Sequence, residues 1–394
     1  MAALLLDLLL LGLAVPVLAA ASYLLLMSLC SAAVAPPAPS SRRLRFDVIV
    51  PAHDEAAVID RCLASLQRLD WPAGCWRLLV IADNCSDDTA ARARAAGARV
   101  LEREDRLRRG KGHALQHAFE YSAASGRSDA VVVVDADTEV AANLLEAFAA
   151  RIEAGAGVVQ AHYGVLNPGD SWRTGLMAIA HGAIHGLRSR ARERLGLSCG
   201  LRGNGWCLTH ATLAAVPYRA WSKAEDLEYG IALGLAGHRV HYAGEAWANA
   251  VMESGADVAG GQRQRWEGGR FALLRSHSLP LLAAALTRPS KICLDLALDL
   301  LVLPLSYVSL GVLLMLVGAA AKSSLLSAAS AWWLPTLFAA LSLLLYVLRG
   351  WRLSGRGAAG LIDLLHAPWF VAWKLGLLLR RSAVGWLPTR RQAR

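Results

Sequence analysis

The run from Ala2 to Ala35 is almost wholly apolar, broken only by Asp7 and Pro16. It exceeds a signal-peptide core, lacks a basic start and can cross a bilayer, so it reads as a signal anchor that stays in the chain, residues 1–35. The rest of the chain must then fold at a membrane. Arg42, Arg43 and Arg45 follow it and nothing basic precedes it. The positive-inside bias places the amino terminus outside and the next domain in the cytoplasm. Pro36-Pro-Ala-Pro-Ser-Ser41 makes residues 36–45 a short, stiff linker.

From Phe46 the pattern is strand, loop, helix, repeated. Strands are expected at Phe46–Val50, Arg77–Ala82 and Ala98–Leu101, with helices from Ala56 to Leu69, from about Ser86 or Asp87 (either can cap) to Ala96, and from His113 to Ala124. The fourth strand, Val131-Val-Val-Val134, is four β-branched residues that suit burial on both faces. Strands and helices alternating at this size imply a parallel sheet covered by helices, with ligands at the carboxyl ends of its strands. Asp54, Asp83 and the pair Asp135/Asp137 all fall at such ends. In an extended chain Asp135 and Asp137 point the same way, so a divalent cation carrying a diphosphate is their natural partner. Asp-x-Asp is also common in ordinary loops; the three acidic strand ends converging on one edge favour a site.

The next third is less regular. Ser171 to Leu195 reads as a helix in which His181 and His185 stand four apart; with no third ligand nearby they read as a polar packing stripe. Leu201-Arg-Gly-Asn-Gly-Trp206 is a glycine-rich turn that allows close backbone approach to a ligand. Glu225 and Asp226 open a helix through Leu235, and Gln262-Arg-Gln-Arg265-Trp266 opens another. Beyond Arg288-Pro289, Ile292–Ala321 and Leu325–Leu348 are each long enough to span, giving two transmembrane helices over 291–349. Leu361–Leu379 holds Asp363, His366, Trp369, Trp373 and Lys374 and suits a helix lying in the interface, followed by a basic cytoplasmic tail, so that 361–394 form one unit. The count is three spans and one interfacial helix, with four spans as the alternative. No internal repeat is visible.

The 394 residues are 55% hydrophobic with a net charge of +10, enough for one large domain plus spans. The basic excess fits cytoplasmic-side anchoring and phosphate or anionic lipid contact. No nucleic-acid motif occurs. The seven cysteines form neither a C-x-x-C pair nor a zinc spacing, as in a reduced, cytosol-facing domain.

Together these motifs resemble the membrane-bound family 2 glycosyltransferases: cellulose, hyaluronan and poly-N-acetylglucosamine synthases, with ceramide glucosyltransferase as a relative. The resemblance covers Phe46 to about Arg275. Pro51-Ala-His-Asp54-Glu55 resembles the family's first strand exit, Asp83 its base-contacting aspartate and Arg109-Gly-Lys111-Gly112 its loop near the diphosphate. Asp135-Ala-Asp137 matches Asp-x-Asp, Glu225-Asp226 matches Thr-Glu-Asp, and Gln262-x-x-Arg265-Trp266 matches Gln-x-x-Arg-Trp. Ala224 stands where the family usually has Thr. The resemblance implies an α/β fold of GT-A type over 46–275, with transmembrane helices around it.

Sugar transfer from a nucleotide must stabilise a departing diphosphate. A Mg²⁺ or Mn²⁺ ion on Asp137, with Asp135 on the same ion or the ribose, supplies that charge. Lys111 and Arg265 add to it, Asp54 and Glu55 belong to the donor-binding set, and Asp83 can accept from an imide N–H, as uracil offers. Asp226 is the expected base, beside Glu225, and Trp266 offers a stacking face. The expected activity is inverting transfer from a UDP-sugar, by a multi-pass protein of the cell inner membrane, to a lipid-linked or polysaccharide acceptor. A processive synthase with export partners is one alternative. A non-catalytic nucleotide-sugar-binding subunit is another, and a sugar nucleotidyltransferase a third. In the loop Glu102–Arg109 only Arg109 is expected near the site.

Overall fold

One eight-stranded sheet carries the site. Its strands are β1 (Phe46–Ala52), β2 (Trp76–Asp83), β3 (Arg99–Arg103), β4 (Ala130–Val133), β5 (Thr138–Val140), β6 (Val158–Val165), β7 (Trp206–Thr209) and β8 (Val240–Ala250). This computed structural model describes the backbone of residues 2–253, 255–326 and 329–378, and their side chains except residues 2–3, 256–266, 326, 374–375 and 377–378. The basic tail from Arg380 lies outside the described residues, as do the side chains of Gln262, Arg265 and Trp266.

The strand order is β3-β2-β1-β4-β7-β6-β8-β5. The first four strands are parallel, as the alternation predicts. The sheet then turns mixed: β7 runs antiparallel to β4 and to β6, and β5 runs antiparallel to β8. This departs from an all-parallel sheet. The sequence between Val140 and Trp206 lacks the clean strand–helix rhythm of the first half, and β7 enters from a glycine turn instead of a crossover helix.

Alternation along the strands builds two core layers. Val48, Val50, Val132 and Val134 face one side with Ile59, Leu63 and Phe148. Ile49, Val131 and Val133 face the other with Leu115, Phe119, Trp206 and Tyr229. The valines of β4 are fully buried, as expected for a strand covered on both faces.

Among the described residues three helices are long and apolar enough to cross a membrane: Leu4–Leu29, Leu305–Leu325 and Trp333–Leu353. The apolar run from Ile292 to Ala321 is not one helix. It breaks between Leu301 and Leu305 around Pro304, which has no N–H to continue the ladder. The first piece, Lys291–Leu301, turns Asp295 and Asp299 inward, four residues apart on one face. The run after Leu353 is likewise two helices, Gly357–Leu365 and Ala367–Leu378.

A buried ionic network joins the sheet domain to the apolar helices. Arg192 Nε lies 2.9 Å from Asp295 and Arg192 Nη2 lies 2.8 Å from Asp299. Arg192 also donates to the Tyr23 hydroxyl at 2.6 Å, and Tyr23 donates to Asp295 at 2.9 Å. Arg188 bridges Asp299 at 3.0 Å and the Tyr346 hydroxyl at 2.8 Å. Far from this junction, Asp7 pairs with Lys322 and accepts from Trp332, so the amino end of the first apolar helix meets the end of the second and the start of the third.

Removing one partner of such a network strands the others in a low-dielectric interior. Asp299→Ala is expected to destabilise the chain by about 3–5 kcal/mol. Thermal unfolding of the full chain in detergent measures this; an unchanged midpoint would contradict the role given to Asp299.

Candidate functional site

The carboxyl ends of β1, β2 and β4 open into a pocket of about 190 Å³ lined by His53, Glu55, Asp83, Lys111, Asp135 and Asp137, among others. Four of the expected donor-site carboxylates therefore share one cavity. Asp54 does not line it. Its backbone is left-handed (φ 52°) and its carboxylate accepts from the Ser86 N–H at 2.6 Å, which ties two loops together. That hydrogen bonding is the physical reason Asp54 falls outside the donor pocket.

Asp135 and Asp137 reach the pocket by a different route from the one the sequence suggests. β4 ends at Val133, and the Thr138 N–H donates to the Asp135 carbonyl at 3.1 Å. The two acids therefore sit in a tight turn between β4 and β5, not on an extended strand. Asn204 fixes the turn from below. Its Oδ1 accepts from the Asp135 N–H at 3.0 Å and its Nδ2 donates to Thr138 Oγ1 at 2.7 Å.

Lys111 is the centre of the charge arrangement. Its ammonium lies 2.6 Å from Asp135 and 3.6 Å from Glu225, and donates to the Gly203 carbonyl at 2.5 Å. Burial alone would lower its pKa, but Asp135 and Glu225 outweigh burial and hold it above its ordinary value. Two glycines make this position possible. Gly110 has φ 116° at the entry to the helix Lys111–Ser125. A Cβ on Gly112 would come within 2.2 Å of the Ala220 carbonyl, so only glycine lets the segment before Glu225 pack there.

Glu225 and Asp226 form the first turn of the helix Glu225–Leu235. Asp226 packs against Gly203, where a Cβ would meet its carboxylate at 3.4 Å. Burial pushes both carboxyls up, and Lys111 pulls them back toward the charged form. Lys111 thus stands between Asp135 on the sheet side and Glu225 and Asp226 on the helix side. Ala224 gives this helix no side-chain cap. Glu228 folds back to accept from the Ser222 N–H at 2.9 Å, which ties the chain ahead of the helix to its first turns.

Asp83 is buried and paired with Arg103 at 2.5 Å. The loop reading needs correction here. Arg109 is exposed and absent from the pocket lining, whereas Arg103 turns inward because Asp83 offers it a charge partner. His181 and His185 lie edge to face at 4.6 Å and both contact Tyr163. Among the described residues no third metal-binding side chain joins them. Their helix contains one widened π turn, Gly182–Leu187, where it meets Gly350 and Ser354.

Three residues escaped the sequence reading: Asn204, Gln160 and Arg103. Gln160 is buried and donates to the Asn204 carbonyl at 2.7 Å while accepting from the Arg202 N–H at 2.9 Å. It holds the glycine turn from the strand beneath. The only advance signal was the glycine pattern from Gly200 to Gly205. Removing Asn204 takes the acceptor from the Asp135 N–H and one hydrogen bond from the Thr138 hydroxyl, which keeps Asp137; the stranded N–H costs about 1–3 kcal/mol. Asn204→Ala should lower the thermal midpoint and weaken binding of UDP with Mn²⁺, read by calorimetry; intact binding would separate the turn from the site.

The fold and site can now be set against known proteins. The family model "Glycosyltransferase like family 2" matches residues 43–269, more than half the chain. Glucosyl-3-phosphoglycerate synthase of Mycolicibacterium paratuberculosis is 41% identical over 96 residues, 23% of this chain and 27% of that protein. The chain thus spans about a quarter of that relative's length. Among solved structures, a mannosyltransferase from Pyrobaculum calidifontis in complex with GDP-Man and Mn²⁺ superposes with a TM-score of 0.52 at 18% identity, over 88% of this chain and 97% of that one. Glucosyl-3-phosphoglycerate synthase from Mycobacterium tuberculosis, in complex with Mn²⁺, UDP and phosphoglyceric acid, gives a TM-score of 0.40 at 23% identity over 57% and 76% of the two chains. The first superposition carries the GT-A architecture across nearly the whole molecule, and the family match carries the class: this chain belongs to the family 2 glycosyltransferases.

Proposed function

We propose that the protein is a membrane-embedded, inverting glycosyltransferase that moves a sugar from a UDP-sugar to a hydroxyl of a lipid-linked or polysaccharide acceptor. The observation that carries this reading is the placement of Lys111 between Asp135 and the Glu225–Asp226 pair. Lys111 lines the donor pocket with Asp135 and pairs behind it with Glu225, which like Asp226 is not part of the pocket lining.

The donor set suits a hard divalent cation: Asp135 and Asp137 offer carboxylate oxygens at the pocket, which Glu55 and Asp83 also line. Mg²⁺ or Mn²⁺ held there would supply Lewis acidity to the diphosphate; the archaeal mannosyltransferase named above holds Mn²⁺ with its donor. Asp83, held by Arg103, keeps an acceptor for a uracil imide. Lys111 adds positive charge where the diphosphate leaves. Asp226 takes the proton from the acceptor hydroxyl, and burial beside Glu225 raises its proton affinity toward that task. Attack from the side opposite the leaving group inverts the anomeric centre. Glu55 completes the pocket wall; in the Gln-x-x-Arg-Trp motif Arg265 adds positive charge at the diphosphate and Trp266 offers the acceptor a stacking face, with Gln262 beside them in the catalytic set. The three apolar helices favour a multi-pass inner-membrane location with the site in the cytoplasm. So few spans favour single or limited additions over processive synthesis.

Asp226→Asn should abolish turnover of UDP-sugars by at least about a hundredfold while UDP binding stays within about twofold. Radiolabelled transfer and calorimetry on the same preparation measure both; unchanged turnover removes Asp226 as the base.

A further inference from the structure

The junction between sheet domain and apolar helices holds more buried positive charge than its own acids neutralise. Arg188, Arg192, Arg202 and Arg270 gather around Asp295 and Asp299. Arg188 and Arg192 have the aspartates as direct partners. Arg270 donates only to the backbone carbonyls of Asp299 and Val302. Arg202 has no ion pair among the described residues. Its Nη2 donates to the Cys199 carbonyl at 2.8 Å, and its buried Nε has no acceptor. Burial, the largest influence, pushes its pKa down and Asp299 works against it, so the guanidinium sits in a site that disfavours an unneutralised charge.

Position makes this more than a structural excess. Arg202 belongs to the turn Gly200–Gly205 that supplies the Gly203 carbonyl to Lys111, and a Cβ on Gly203 would meet the Asp226 carboxylate at 3.4 Å. Its charge reaches Asp226 on one side and Arg188, Arg192 and Asp299 on the other. Tyr23 and Tyr346, which complete that network, belong to two of the apolar helices. The unpartnered Nε–H therefore lies between the acceptor-side acid and the junction with the apolar helices. A buried guanidinium N–H without an acceptor matches a phosphate oxygen in both charge and hydrogen-bonding chemistry.

We propose that Arg202 anchors a phosphate group of the acceptor, so that the acceptor is a hydroxyl-bearing phosphate ester whose hydroxyl is presented to Asp226. This rests on the reading of Asp226 as the acceptor-side base. The phosphate belongs either to a lipid headgroup or to a soluble ester.

The test reads binding, so its failure stays distinct from a failure of the base assignment. The full chain is placed in nanodiscs with saturating UDP and Mg²⁺, which fill the donor pocket. Glycerol 3-phosphate is titrated into phosphatidylcholine discs by calorimetry, and the thermal midpoint is compared between phosphatidylcholine and phosphatidylglycerol discs. Saturable glycerol phosphate binding identifies a soluble ester; a higher midpoint in phosphatidylglycerol alone identifies a headgroup. Arg202→Gln should weaken the response at least about tenfold, while Arg202→Lys, which keeps the cation, retains it to within about threefold. If Arg202→Gln does not fold, the comparison of Arg202→Lys with wild type and of glycerol with glycerol 3-phosphate decides. No response to either probe, an Arg202→Gln response equal to wild type, or equal binding of uncharged glycerol overturns the proposal.

Discussion

The ammonium of Lys111 is the counter-charge that lets several acids gather around one point. At about 4 Å two like charges near a protein surface repel by about 4 kcal/mol. Asp135, Glu225 and Asp226 could not stay close and ionised without a cation among them. Lys111 satisfies two of them and takes the Gly203 carbonyl as its third acceptor. The surrounding architecture serves that contact. Gly110 turns the chain so that Lys111 starts its helix, and Gly112 admits the segment leading to Glu225. Asn204 and Gln160 hold the glycine turn at the height where its carbonyl meets the ammonium. A metal–diphosphate entering the pocket would bring its own charges to the same acids, so this arrangement suits exchange of ion partners.

A second ionic cluster fixes where the sheet sits against the apolar helices. Arg188 and Arg192 leave one helix and meet Asp295 and Asp299 from another, with Tyr23 and Tyr346 closing the network. Apolar contacts alone would allow these helices to slide over the domain. Directional buried hydrogen bonds permit one register, at a cost in desolvation that the pairing offsets. Arg202 lies within electrostatic reach of both this cluster and Asp226.

Much of this was readable from the sequence because it depends on local chemistry. Four valines before Asp135 define a two-sided strand, and strand ends in a parallel sheet define a ligand edge, so Asp83, Asp135 and Asp137 could be placed together, while Lys111 came only through the family resemblance. What escaped was set by distant partners. Arg103 and Arg109 look alike in the loop, yet only Arg103 finds Asp83. Asp54 carries the right side chain at the right strand end and spends it on Ser86. Asn204 and Gln160 matter through contacts to residues far along the chain, which no local pattern reveals. The run from Ile292 looked like one span because Asp295 and Asp299 acquire their meaning only from Arg188 and Arg192.

The central claim is that the Asp135–Asp137 turn holds a cation against the nucleotide's phosphates. Pulsed electron–nuclear double resonance on the full chain with Mn²⁺ and UDP tests it most directly. Phosphorus couplings on the bound ion in wild type, lost with the ion in Asp137→Ala, are the predicted result. Bound Mn²⁺ without phosphorus coupling, or coupling that persists in Asp137→Ala, would contradict the account.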